Sequence, residues 1–117
     1  MYSKYRAKKI QYNDFSFASQ LEAAVFQWLQ LRVKNKEISD MRCQETVYLT
    51  KARIISKPDF SFYENGTKRF AEAKGFETPE WRIKRRLWEH YGPGPLEIYK
   101  GSAKSFRLHE TIIPICC

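Results

Sequence analysis

The chain is poor in the features that would hold it in a membrane or build a thiol or histidine centre. No apolar run approaches the ~18 residues of a spanning helix, and the opening Met1-Tyr2-Ser3-Lys4-Tyr5-Arg6 lacks the apolar stretch of a signal peptide. The expectation is a cytoplasmic protein with no membrane partner. Cysteine is sparse: Cys43, Cys116 and Cys117 are odd in number and lack metal-site spacing. The terminal pair does not fit the four-residue prenylation box. Only His90 and His109 are present. Neither has a partner at catalytic spacing, so both read as structural or surface residues, and no Ser-His-Asp or Cys-His arrangement is visible. Acidic residues are in deficit, 13 against 21 Lys and Arg, for a net charge of +8. That balance favours a polyanionic partner, and nucleic acid fits better than membrane.

What is present is enough for one small core. The 117 residues are 43% hydrophobic and include eight Phe, seven Tyr and three Trp, a composition that folds. No internal repeat, low-complexity block or linker divides the chain. Residues 1–18 read as a basic, aromatic arm carrying Lys4, Arg6, Lys8 and Lys9. Residues 19–100 read as the folded core and 101–117 as a tail. Leu21, Ala24, Val25, Trp28, Leu29 and Leu31 recur at helical spacing from Ser19, a suitable N-cap, to about Lys34. After the polar stretch 35–40, alternation predicts strands over 45–50, 53–63 and 67–75. Thr78-Pro79 opens a second helix that ends before Gly92, and Leu96 to Lys100 is a further strand. The order is αβββαβ, an α/β domain.

Asn65-Gly66 is a strong hairpin signal, because both residues tolerate the positive φ of a type I′ turn. Counting outward pairs Glu64 with Thr67, Tyr63 with Lys68, Phe62 with Arg69, Ser61 with Phe70 and Phe60 with Ala71. The next rung sets Asp59 beside Glu72, and alternation returns Lys74 to the same face. Like charges directly opposed are destabilising. A divalent cation between them removes the repulsion, and Mg²⁺ favours one or two carboxylates plus waters and substrate phosphates. The plain alternative is a solvated sheet face on which Lys74 and Lys57 compensate the two acids.

Pro58-Asp59 on one strand and Glu72-Ala73-Lys74 on the next resemble the motif of the PD-(D/E)XK nuclease superfamily. The resemblance covers roughly residues 15 to 100. It implies a restriction-endonuclease-like core with a mixed sheet flanked by helices, and hydrolysis of DNA phosphodiesters with Mg²⁺ or Mn²⁺. Asp59, Glu72 and the Ala73 carbonyl would hold the metal and Lys74 would act on the attacking water or the developing charge. Members commonly carry a glutamate on the first helix, where Glu22 stands, although Ser19-x-x-Glu22 is equally a capping box. Small phage-type junction-resolving endonucleases look most similar. That likeness implies a bacterial or phage-infected cytoplasm.

Arg82, Arg85 and Arg86 on the second helix, with Ile83, Leu87 and Tyr91 taken as its inward row, suggest a phosphate-binding face. Lys4, Arg6, Lys8 and Lys9 extend it, with Lys68, Arg69 and Lys104 as further candidates. Such contacts position a duplex without reading bases, so the expected cutting is structure-selective or weakly specific. One active site per small domain argues for a homodimer when two strands are cut. The alternatives are a catalytically silent nucleic-acid-binding module and a nuclease subunit of a larger transposase or restriction-type complex.

Overall fold

A computed structural model describes residues 10–12 and 15–115, with side chains from Phe17 onward. In chain order the elements are β1 (Ile10–Tyr12), β2 (Phe15–Phe17), α1 (Gln20–Lys34), β3 (Ser39–Cys43), β4 (Val47–Tyr48), β5 (Ile55–Ser56), β6 (Phe60–Glu64), β7 (Thr67–Ala73), α2 (Pro79–Tyr91), β8 (Leu96–Gly101) and β9 (Phe106–Ile112). The main sheet runs β3-β6-β7-β8-β9. Only β7 and β8 are parallel, joined through α2; the other neighbours are antiparallel. The domain is therefore α/β with a mixed sheet. Among the described residues no helix is long and apolar enough to cross a membrane.

The hairpin register agrees with the turn arithmetic. Asn65 and Gly66 have φ of 54° and 80°, and β6 pairs β7 from Glu64↔Thr67 to Phe60↔Ala71. Alternation along these strands then serves two cores. Phe60, Phe62, Ala71 and Tyr99 pack with Leu21, Val25, Phe26 and Leu29 of α1. Phe70, Leu96, Ile98 and Ile112 pack with Trp81 and Trp88 of α2. The helices cover opposite faces of the sheet.

Both helices start where their caps direct. The Ser19 hydroxyl accepts from the Glu22 N–H at 3.0 Å and the Thr78 hydroxyl from the Trp81 N–H at 3.1 Å. Their inward rows differ from the expected ones. Leu31 is 58% exposed, because two residues beyond Leu29 amounts to about 200° of helical rotation. On α2 the buried pair is Trp81 and Trp88, while Ile83 and Tyr91 are exposed. Residues seven apart share a helix side, and the indoles have more apolar surface to bury than the smaller Ile83–Leu87–Tyr91 row.

The strands depart from expectation at four places. The first sheet strand is β3, within a segment read as partly polar loop, and not residues 45–50. An edge strand needs no apolar alternation, and β3 bears a register irregularity with Asp40 at φ 52°. The alternation at Val47 and Leu49 belongs instead to the two-stranded β4–β5 ribbon, whose inner side joins the α2 core. The strand expected over 53–63 breaks at Pro58, which is buried and has no N–H for a ladder. Finally, residues beyond 100 are not a tail, since β9 pairs along the whole of β8. At the other end, the distal part of the expected arm forms the β1–β2 hairpin, with Phe17 in the core.

Trp88 fastens α2 to the sheet. It is 1% exposed, meets Phe70 edge-on at 5.1 Å and donates its indole N–H to the Gly94 carbonyl at 2.9 Å. Trp88→Ala is expected to cost about 3–5 kcal/mol, read as a lowered urea midpoint with an unchanged slope. A loss below about 1 kcal/mol would show that α2 docks by other means.

Candidate active site

The end of the β6–β7 hairpin opposite its turn gathers the chain's chemistry. Regular pairing stops at Phe60↔Ala71. Beyond it the side chains take over, because Pro58 cannot continue the ladder. The Asp59 carboxylate accepts from the Ala73 N–H at 2.9 Å, and the Glu72 carboxylate accepts from the Asp59 N–H. Each acid thus reaches across to the other strand's backbone. The Gln44 amide donates to the second Asp59 oxygen at 3.2 Å. Lys74 lies 3.2 Å from Glu72, and its ammonium sits 4.4 Å above the Trp81 ring, so the first turn of α2 provides the seat for it.

Asp59, Glu72, Ala73, Lys74 and Glu22 all line one open cleft of ≈ 1080 Å³. Burial raises the Asp59 carboxyl well above the ordinary range, and the charges of Glu72 and Glu22 raise it further against the Ala73 hydrogen bond and Lys74. Burial also raises Glu72, opposed by Lys74 and the Asp59 N–H. Glu22 is raised by burial and then by Glu72, against a backbone hydrogen bond at Ala18. The capping box is therefore half formed: Ser19 caps the Glu22 amide, while the Glu22 carboxylate turns toward Ala18 and the other acids. Near them the Cys43 thiol is pushed up to about 11 by burial and by Glu22 and Asp59, which keeps it a thiol and not a soft thiolate ligand.

Among the described residues no three His, Cys, Asp or Glu side chains form a ready-made metal cage. The donor set nevertheless suits a hard cation. Two desolvated carboxylates with a third nearby lack enough positive charge, and Mg²⁺ is held by one or two carboxylates together with waters and substrate oxygens. Residues that sequence reasoning passed over are Gln44, Trp81 and Lys84. Gln44 shows no periodic signal, and Lys84 stands in the basic run of α2 with nothing in its spacing to turn it toward the cleft. Trp81 was legible through its seven-residue spacing from Trp88.

The basic candidates are scattered. Arg82 and Arg86 are exposed on α2 beside Ile83. Arg85 is engaged, its guanidinium donating to both Glu110 oxygens at 2.6 and 2.5 Å. Lys68 pairs with Glu45 and Arg69 with Glu97, and Lys104 is exposed. Lys4, Arg6, Lys8, Lys9, Cys116 and Cys117 lie outside the described residues.

Residues 2–105 match the family described as Protein of unknown function (DUF1064), and the chain belongs to that family. No curated protein matches it.

The raised carboxyls set a pH dependence. Asp59 and Glu72 hold protons more tightly folded than unfolded. Their contribution to metal-free stability is full below the ordinary carboxylate range and is lost as pH rises through the raised folded values. Asp59→Asn removes part of that loss. Urea melts in EDTA at about pH 5 and about pH 8 should find the variant more stable than the parent at the higher pH, by at least about 1 kcal/mol, with the gap closing at the lower one. A variant less stable than the parent at both would contradict the repulsion.

Proposed function

We propose that this member of the DUF1064 family is a metal-dependent DNA endonuclease with a restriction-endonuclease-like core, hydrolysing phosphodiester bonds through Asp59, Glu72 and Lys74. The observation that carries the reading is the meeting of two desolvated carboxylates, a third acid and Lys74, ion-paired with Glu72, in a single open cleft that Lys57 and Lys84 also line. A purely structural acid pair is expected to be exposed or neutralised. Here mutual repulsion is retained in a recess that a polymer can enter, the usual mark of a working site. The α-β-β-β-α-β order of α1, β3, β6, β7, α2 and β8 supports the same superfamily.

Asp59 and Glu72 would hold a Mg²⁺ or Mn²⁺ ion, with the Ala73 carbonyl and Glu22 completing the protein's share. When bound, the ion supplies Lewis-acid charge and makes water a nucleophile near neutrality. The side chains do the rest. Gln44 and the Ala73 N–H fix the Asp59 carboxylate in one orientation. Lys74, tethered to Glu72 and seated on Trp81, offers N–H donors to a phosphoryl oxygen where negative charge accumulates. Arg82 and Arg86 lie on the exposed side of the helix that begins beside the cleft, a placement suited to phosphate backbone contact. A second copy of the chain would supply the second cut in a duplex.

The test is cleavage of linear duplex, single-stranded, nicked and four-way-junction DNA with Mg²⁺, Mn²⁺ or EDTA. Cutting should require the metal and fall about a hundredfold or more in Asp59→Ala and Lys74→Ala, while DNA binding in EDTA persists. Binding without cleavage of any substrate would favour a silent binding module. Arg82→Ala and Arg86→Ala should each weaken duplex binding across sequences and flatten its salt dependence by about one unit of slope. Arg85→Ala should chiefly lower the melting temperature, because its partner is Glu110.

A further inference from the structure

We propose that the β4–β5 ribbon and the end of α2 form a platform for unpaired nucleotides, which receives the single-stranded continuation of a strand lying in the cleft. The proposal rests on the nuclease reading and deepens it, naming DNA with an unpaired segment beside the cut as the substrate class.

The ribbon has two unlike sides. Val47 is buried with Leu49 in the α2 core, whereas Tyr48 between them is 57% exposed. The Arg53 guanidinium lies 5.0 Å from the centre of the Tyr48 ring. The turn that carries Arg53 is tied down by two hydrogen bonds to Thr50: the Arg53 N–H to its carbonyl at 2.9 Å and the Ile54 N–H to its hydroxyl at 3.4 Å. Across a recess from Tyr48 stands Tyr91, 58% exposed at the end of α2 and next to His90. The recess measures ≈ 780 Å³ and includes Lys51 in its wall, within the ~300–1,000 Å³ of pockets that take a nucleotide-sized ligand. Among the described residues no carboxylate lines it.

Two exposed aromatic rings, a stacked guanidinium and a lysine, with no carboxylate among the described residues of the recess wall, form the arrangement that binds single strands. Bases stack on rings irrespective of sequence, and cations follow the backbone. A protein-docking patch would not need the cations, and inside a duplex the base faces are stacked on one another and closed to a ring. The position is equally informative. Tyr48 pairs directly with Ile55, and Ile55 and Lys57 line the cleft that holds Asp59 and Glu72. Recess and cleft therefore adjoin one cross-strand pair, Tyr48 in the wall of one and Ile55 in the wall of the other, whose Cβ atoms stand about 5 Å apart.

The experiment is fluorescence anisotropy of the full chain in EDTA, with a labelled oligonucleotide of about 15 nucleotides and a blunt duplex of the same sequence. The variants are Tyr48→Ala, Tyr91→Ala and Tyr48→Phe. Each alanine variant should bind the single strand about tenfold more weakly, keep its duplex affinity and melt as the parent does, because both tyrosines are exposed. Tyr48→Phe, which keeps the ring, should bind as the parent. Equal losses on both DNAs, or no loss on either, would overturn the platform. Because binding is read without metal, the two proposals fail separately. Tyrosine-dependent single-strand binding with no cleavage anywhere would leave the platform standing and remove the nuclease, whereas metal-dependent cleavage with no tyrosine dependence would do the reverse.

Discussion

The register of β6 against β7 is the constraint on which the rest of the molecule depends. Two residues with positive φ, Asn65 and Gly66, set it. Because side chains alternate along a strand, a slip of one residue would exchange the two faces: Phe60 and Phe62 would leave α1, and Phe70 would leave α2. The same slip would pull Asp59 and Glu72 apart. Core and cleft are thus specified together by a turn at the far end of the hairpin.

The two faces treat charge in opposite ways. Toward α1 the buried Glu97 accepts from Arg69 at 2.8 Å and from the Tyr99 hydroxyl at 2.7 Å, and Arg69 also approaches Glu64, which pairs with Arg32. Burial and Glu97 hold the Tyr99 phenol in its neutral form. Buried charge there is paired, as a folded interior requires. In the cleft, among the described residues, Asp59, Glu72 and Glu22 have one ion pair between them, Lys74 with Glu72. The contrast within one small sheet marks the cleft as the place where buried charge is left short of partners and stability is given up.

The parts of this structure legible in the sequence are those governed by local rules. Ser19 and Thr78 as caps, Asn65-Gly66 as the turn and the pairing that follows from it are decided within a few residues, and are found as read as far as Phe60↔Ala71; the expected Asp59–Glu72 rung lies beyond the end of the ladder. The convergence of Asp59, Glu72 and Lys74 follows from the same counting. What escaped is decided by neighbours distant in sequence. Strand β3 is an edge whose polar composition carries no alternation, and β9 is held by pairing with β8. The true alternation at Val47 and Leu49 announces burial but not which layer receives it. Leu31 and Ile83 fit an apolar row as letters and lie outside it in space. Gln44, placed on Asp59 by the fold alone, has no local signature.

Strand β9 has one further consequence. The family match ends at residue 105, and β9 begins at Phe106. Leu96 to Tyr99 of β8 are all buried, and β9 occupies the side of that strand that β7 leaves open. The Arg85–Glu110 pair clamps β9 to α2. A chain trimmed to the family boundary would bare a row of unpaired backbone N–H and C=O groups beside apolar side chains, the template on which strands of separate molecules add. The last strand thus replaces an apolar edge with one that carries Arg107, His109 and Glu110.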